Sequence, residues 1–92
     1  MTFKNIEKST GLTKVELALL YGVSRQTIHS WQKVGPPREG TYTARMAETI
    51  TRGLAGAVER GVLPLPAMDK GKRRARVERM AVTLQNLKPA PK

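Results

Sequence analysis

The stretch that decides the fold is residues 11–37, which read GLTKVELALLYGVSRQTIHSWQKVGPP. Thr13 is followed three residues later by Glu16, the spacing of a capping box, in which each side chain satisfies a free backbone amide at a helix start. Gly22 permits a tight turn, and Ser24 is a favourable N-cap for a second helix. The stretch therefore predicts two short helices joined by a glycine-containing turn, which is a helix-turn-helix.

Apolar residues of these two helices recur at spacings that bring them to one side. Ile28 and Trp31 are three positions apart, so they share one face of the second helix. This spacing favours a Trp31 packed in the core over a Trp31 that stacks on a nucleic-acid base. The residues expected to form the core of the motif are Leu17, Ala18, Gly22, Val23, Ile28 and Trp31.

The outward face of the second helix is polar, without an apolar interruption. Its side chains are those of Arg25, Gln26, His29, Ser30 and Lys33. In the major groove of DNA, arginine can form two hydrogen bonds with guanine, and glutamine can do the same with adenine. The sequence therefore predicts a helix that reads DNA bases, with Arg25 and Gln26 contacting guanine and adenine.

The same residues resemble the helix-turn-helix of the Cro and lambda-repressor-like family of phage and bacterial regulators. The matching segments are Gly-Leu-Thr at 11–13, Glu-Leu-Ala at 16–18, Gly-Val-Ser-Arg-Gln-Thr-Ile at 22–28, and Trp31. The family often continues with Trp-Glu and a short basic-glycine turn, whereas this chain has an extra residue before Gly35. The resemblance is confined to residues 11–37.

The resemblance implies roles for individual residues. The family's base-reading positions fall on Ser24, Arg25, Gln26, His29 and Ser30. Phosphate contacts fall on Lys14, Lys33 and Arg38, and we add the hydroxyl-bearing Thr27 and Tyr42 to the predicted phosphate contacts. Members of the family are mostly dimers on near-palindromic operators, so the resemblance also implies a homodimer.

The composition points to a polyanionic partner and away from catalysis. Lys and Arg number 17 against 7 acidic residues, a net charge of +10, which indicates nucleic acid first and an anionic membrane surface second. The chain has no cysteine and one histidine, too few for a thiolate metal site or a supported catalytic triad. We therefore expect no enzyme, no metal and no cofactor. We also expect no signal peptide and no membrane-spanning helix.

Two further helices are predicted beyond the motif. The first runs from about Thr43 to Arg60, and an apolar stripe of Met46, Ile50, Leu54 and Val58 recurs along it. Gly53, Gly56 and Ala57 lie within this stripe, which predicts close approach of another helix. The second runs from about Asp69 to Leu87, with an apolar face of Val77, Met80, Ala81, Leu84 and Leu87. The one strand signal is a short extended piece at Thr2–Phe3.

A run of cations occupies the first turns of the last predicted helix. Its members are Lys70, Lys72, Arg73, Arg74, Arg76 and Arg79. These residues could contact DNA phosphates or enter a neighbouring groove and so extend the footprint. They could also form the solvated face of a helix packed on the body or on a second copy, and the two interpretations are compatible. A membrane-surface helix fits less well, because the segment has no Trp or Phe to anchor it.

The prediction is an all-α protein: a small helix-turn-helix DNA-binding domain with one or two additional C-terminal helices. Residues 1–60 would form this domain, with the motif at 13–34, and residues 61–92 a basic helix and tail for dimerisation or DNA-backbone contact. The predicted function is a phage or prokaryotic transcriptional regulator, most simply a repressor. It would bind double-stranded DNA in the cytoplasm of a prokaryotic or phage-infected cell, with RNA polymerase or another host protein as a further partner.

Two alternatives to a transcriptional regulator remain open. An excisionase-like architectural protein or a phage DNA-packaging subunit would also combine this motif with a basic tail. A protein from another class, an inhibitor or adaptor that binds a host protein, would use DNA affinity only secondarily. Ring-forming or cooperative assembly through residues 43–87 would favour the first alternative, whereas a dimer on an isolated inverted repeat would favour a repressor. The second alternative predicts that Arg25→Ala with Gln26→Ala leaves function intact.

Overall fold

The four predicted helices occur in the predicted order, and a short helix at Ile6–Thr10 precedes them. The computed structural model describes residues 2–38 and 40–87, and these residues form an all-helical fold without a strand, which confirms the predicted all-α class. The helices are α1 (Ile6–Thr10), α2 (Lys14–Tyr21), α3 (Arg25–Val34), α4 (Tyr42–Glu59) and α5 (Lys70–Gln85). No helix in the described ranges combines the length and apolarity needed to cross a membrane.

Local hydrogen bonds explain where α2 and α3 begin and end. The Thr13 hydroxyl accepts from the amide of Glu16 at 3.2 Å, while the Glu16 carboxylate accepts from the amide of Thr13 at 2.9 Å, so the capping box is present. Gly22 ends α2 with a φ of 68°, in the left-handed region that favours glycine. The Ser24 hydroxyl then caps α3 by accepting from the amide of Thr27. The helix-turn-helix is thus specified by short-range chemistry.

Four of the six residues predicted to form the core of the motif are buried, and the placement of Gly22 in that core is wrong. Leu17, Ala18, Ile28 and Trp31 belong to one buried cluster, and Val23 is half-buried against it. Gly22 is exposed in the turn, where its backbone conformation matters more than packing.

The extended piece predicted at Thr2–Phe3 is wrong, because these residues form a turn. The amide of Asn5 donates to the carbonyl of Thr2 at 3.2 Å, and the amide of Thr2 donates to the Asn5 side chain at 2.9 Å. The turn places the ring of Phe3 5.4 Å from that of Trp31 and 5.6 Å from that of Tyr21. An aromatic cluster, instead of a strand, therefore holds the N-terminal segment against the motif.

The buried face of α4 is rotated slightly about the helix axis relative to the predicted apolar stripe. Ile50 and Leu54 are buried, Met46 and Val58 are partly buried, and Ala47 and Ala57 complete the inward face. A Cβ atom at Gly53 would lie 2.5 Å from the Leu84 side chain of α5. The glycine thus permits the close approach of another helix that the sequence predicts.

Helix α5 packs on the first sixty residues. Its Val77, Ala81 and Leu84 join the same buried cluster as the core of α2 and α4. The apolar face of α5 is therefore covered by the body of the same chain.

The ends of α5 show how it runs relative to its neighbours. Near its start, Arg73 bonds to Glu16 in the first turn of α2 and to the carbonyl of Gly11, which lies just before that helix. At its end, the Gln85 amide donates to the carbonyls of Leu19 and Leu20 near the end of α2. Helix α5 therefore runs in the same direction as α2.

Candidate nucleic-acid interface

The exposed face of α3 is held in a fixed orientation because the opposite face of the helix is buried. Ile28 is fully buried and Trp31 is 9% exposed, so the apolar side of the helix is fixed against the body. Five polar side chains are consequently left in solvent, and these are Arg25, Gln26, His29, Ser30 and Lys33. The structure therefore brings four of the five predicted base-reading residues onto one exposed face.

Ser24 and Thr27 have local partners that the remaining polar residues of α3 lack. Besides capping the helix, the Ser24 hydroxyl lies 2.9 Å from the Thr27 hydroxyl, and Thr27 is half-buried. Ser24 is exposed at the start of α3, so its hydroxyl both caps the helix and faces solvent. The primary observed role of this pair is to fix the start of the helix.

Lys14 joins the exposed face of α3 from α2. Its ammonium donates to Nδ1 of His29 at 3.2 Å. Lys14, Arg25, Gln26 and His29 line one shallow concavity. We name this set, together with Ser30 and Lys33, the reading face.

The chemistry of the reading face suits the edge of a base pair and the adjoining phosphates. Helix α3 contains no acidic residue, while Arg25, Lys33 and Lys14 supply three cations. Arginine and glutamine side chains can each form paired hydrogen bonds with a purine in the major groove, which is wide enough for a helix. The face can thus combine base contacts with attraction to the phosphate backbone.

The remaining predicted phosphate contacts lie on the segment that joins α3 to α4. Arg38 is exposed, and Tyr42 is 65% exposed at the start of α4. Tyr42 lines the same groove as Gly22 and Val23 of the motif turn. Both side chains are accessible, and Tyr42 lies near the motif.

Tyr21 has a structural role beneath the motif. Its hydroxyl lies 2.6 Å from that of Thr51, whose own proton goes to the carbonyl of Ala47, so Tyr21 donates to Thr51. Burial raises the pKa of Tyr21 to about 12, which keeps the hydroxyl protonated. This partly buried bond links α2 to α4.

The six cations of the 70–79 run differ in their surroundings. Arg73 forms an ion pair with Glu16 at 2.7 Å and also bonds to the carbonyl of Gly11. The hydrogen bond from Arg73 lowers the pKa of Glu16, and the same bond raises the pKa of Arg73. Arg74 pairs with Glu78 at 3.0 Å. The four exposed members with no ion pair among the described residues are Lys70, Lys72, Arg76 and Arg79.

Arg60 joins this cationic surface without having been predicted from the sequence. It lies at the end of α4 and lines a cleft of about 260 Å³ together with Arg76 and Arg79. No carboxylate lines that cleft among the described residues. No sequence pattern connects Arg60 to α5, because their proximity depends on how α4 and α5 pack.

The described residues contain no cluster of three or more metal-ligating side chains. Comparison of the chain with protein-family models, with curated proteins and with solved structures found no match. The features of the molecule that bear on its function are therefore the exposed face around α3 and the cationic surface of α5 and Arg60.

Proposed function

We propose that this protein is a sequence-specific double-stranded DNA-binding regulator in which α3 enters the major groove. The observation that carries the proposal is the reading face: an exposed, acid-free helix surface whose Arg25 and Gln26 stand beside Lys14, while Ile28 and Trp31 fix the helix from behind. Arg25 and Gln26 would read bases, and Lys14, Lys33, Arg38 and Tyr42 would contact phosphates.

The regulatory mechanism follows from occupancy of an operator. A homodimer would place two copies of α3 in successive major grooves, so its site would be an inverted repeat with half-sites about one helical turn apart. Occupying such a site in the cytoplasm of a prokaryotic or phage-infected cell would block RNA polymerase, and we propose repression as the outcome.

The test is selection of binding sites from random duplex DNA with the purified full chain at near-physiological salt. The proposal expects one enriched inverted repeat. On that repeat, the double variant Arg25→Ala, Gln26→Ala should lose affinity by about 1–3 kcal/mol per base-contacting side chain. The matched control is Arg52→Ala with Thr49→Ala on α4, which also removes one cation and one polar side chain.

Each result that contradicts the proposal would favour a different alternative. Binding of duplex DNA without enrichment would contradict sequence-specific reading and would favour an architectural or packaging protein. An enriched site on which the α3 double variant and the α4 control bind equally well would place recognition elsewhere on the molecule. Absence of duplex binding would favour an inhibitor or adaptor of a host protein.

A further inference from the structure

The start of α2, the start of α5 and the end of α4 lie at one end of the helical bundle. Arg73 near the start of α5 bonds to Glu16 near the start of α2, so these two helices begin at the same end of the bundle. Helix α4 runs the opposite way along α5, because Gly53 lies against Leu84 while Arg60, further along α4, shares a cleft with Arg76. Lys14, a member of the reading face, is the first residue of α2 and belongs to the same end.

Three cations of α5 and one cation that directly follows α4 form a patch at this end of the bundle. Lys72, Arg76 and Arg79 follow the spacing i, i+4 and i+7, which places them on one face of α5. Arg60, the residue that follows α4, lines the cleft that Arg76 and Arg79 also line. We name these four residues the flank patch.

Ion pairing removes the other two arginines of the run from this surface. Arg73 is held by Glu16 and by the carbonyl of Gly11. Arg74 pairs with Glu78 and lies on a different face of α5 from Arg76. The flank patch is therefore a defined subset of the basic run, with Arg60 added.

We infer that the flank patch contacts the phosphate backbone of the same duplex whose bases the reading face contacts, beyond the edge of the base pairs that α3 reads. This inference rests on the proposed function. From Lys72 to Arg79 the patch spans about 10 Å of helix, and each DNA strand carries one charge per about 3.4 Å, so several phosphates fall within reach. The contact is independent of sequence and lengthens the footprint on one side of each half-site.

The experiment measures binding to random-sequence duplex DNA at several salt concentrations. The test variant is Lys72→Gln with Arg76→Gln. The control is Arg52→Gln with Arg74→Gln, which lowers the net charge equally but removes cations that are already paired with Glu48 and Glu78. Circular dichroism and thermal unfolding confirm that both variants fold.

The inference expects the slope of log K against log salt to become shallower by about 1.8 in the test variant, because about 0.9 is lost for each phosphate contact. The control should change the slope by less than half as much. Equal changes in the two variants would overturn the inference, because only net charge would then matter. An unchanged slope in the test variant would overturn it as well.

Flank length separates this inference from the proposed function. On a selected site, lengthening the duplex by about half a helical turn of 5 base pairs should raise the affinity of the wild-type protein several-fold but not that of the test variant. If a site is enriched but the affinity of the protein for it does not depend on flank length, the inferred role of the flank patch is wrong, while base reading by α3 remains supported. If no site is enriched but the salt slopes differ as expected, the flank patch contacts the DNA backbone, while base reading by α3 is wrong.

Discussion

At the scale of single residues, Glu16 connects local and long-range structure. Its carboxylate accepts from the amide of Thr13 and so completes the cap of α2, and both of its oxygens also accept from Arg73. Its side chain is 14% exposed and that of Arg73 is 29% exposed, so solvent only partly screens the pair. One carboxylate thereby holds α5 beside the first helix of the motif.

Replacing Arg73 tests this connection. We expect Arg73→Ala to lower the free energy of unfolding by about 1 kcal/mol, after allowance for partial exposure, and Tm by about 4–8 °C. Arg74→Ala, which breaks an exposed ion pair on the same helix, should change the free energy of unfolding by less than about 0.5 kcal/mol. Thermal unfolding followed by circular dichroism measures both, and equal losses in the two variants would contradict the assigned role.

The effect of Arg73→Ala should also depend on pH. Arg73 lowers the pKa of Glu16 in the folded protein, so the pair stabilises the fold fully above the ordinary glutamate pKa of about 4.3. The stabilisation then disappears as the pH falls through the lower folded value. The difference in unfolding free energy between wild type and Arg73→Ala should therefore narrow below pH about 4. A difference that stays constant down to pH about 3 would show that the pair is not its source.

Only the local half of this arrangement follows from the sequence. The capping box was predictable, because Thr13 and Glu16 are three residues apart. The partner of Glu16 was not, since Arg73 lies 57 residues away and stands among five other cations with the same local signature. The same limit applies to the contact between Lys14 and His29, which depends on how α2 and α3 cross.

At the scale of elements, α5 belongs to the core that supports the motif. The spacing of Val77, Ala81 and Leu84 predicted an amphipathic helix but left open whether its apolar face packs on the body or on a second copy. In the structure this apolar face packs on the body of the same chain, where Leu84 lies against Gly53. Spacing specifies which face is apolar, whereas the surface that covers it depends on tertiary packing.

A matched pair of substitutions on α5 tests this packing. Val77 is fully buried and Val82 is 63% exposed, so Val→Ala removes the same atoms from opposite environments. We expect Val77→Ala to lower the free energy of unfolding by about 2 kcal/mol, and Val82→Ala to change it by less than about 0.5 kcal/mol. Urea unfolding of the two variants gives both values. Similar small effects would mean that α5 does not pack in solution as described.

At the scale of the whole molecule, the proposed function assigns two different tasks of DNA binding to the two cationic surfaces. The reading face combines polar side chains with cations on one helix, which suits discrimination among bases. The flank patch offers cations alone from α4 and α5, which suits attraction to phosphates. The net charge of +10 supports both tasks, but it could not reveal from the sequence which cations stand free and which are paired.

The most direct test of the central claim is to repeat the selection from random duplex DNA with Arg25→Ala and to compare its recovered motif with that of the wild-type protein. If α3 reads bases, the variant should recover the same repeat and half-site spacing. Its preference should be relaxed at one or two adjacent positions in each half-site, because one base-contacting side chain is missing. An identical motif with undiminished preference at every position would contradict the account, since Arg25 would then contribute nothing to base recognition.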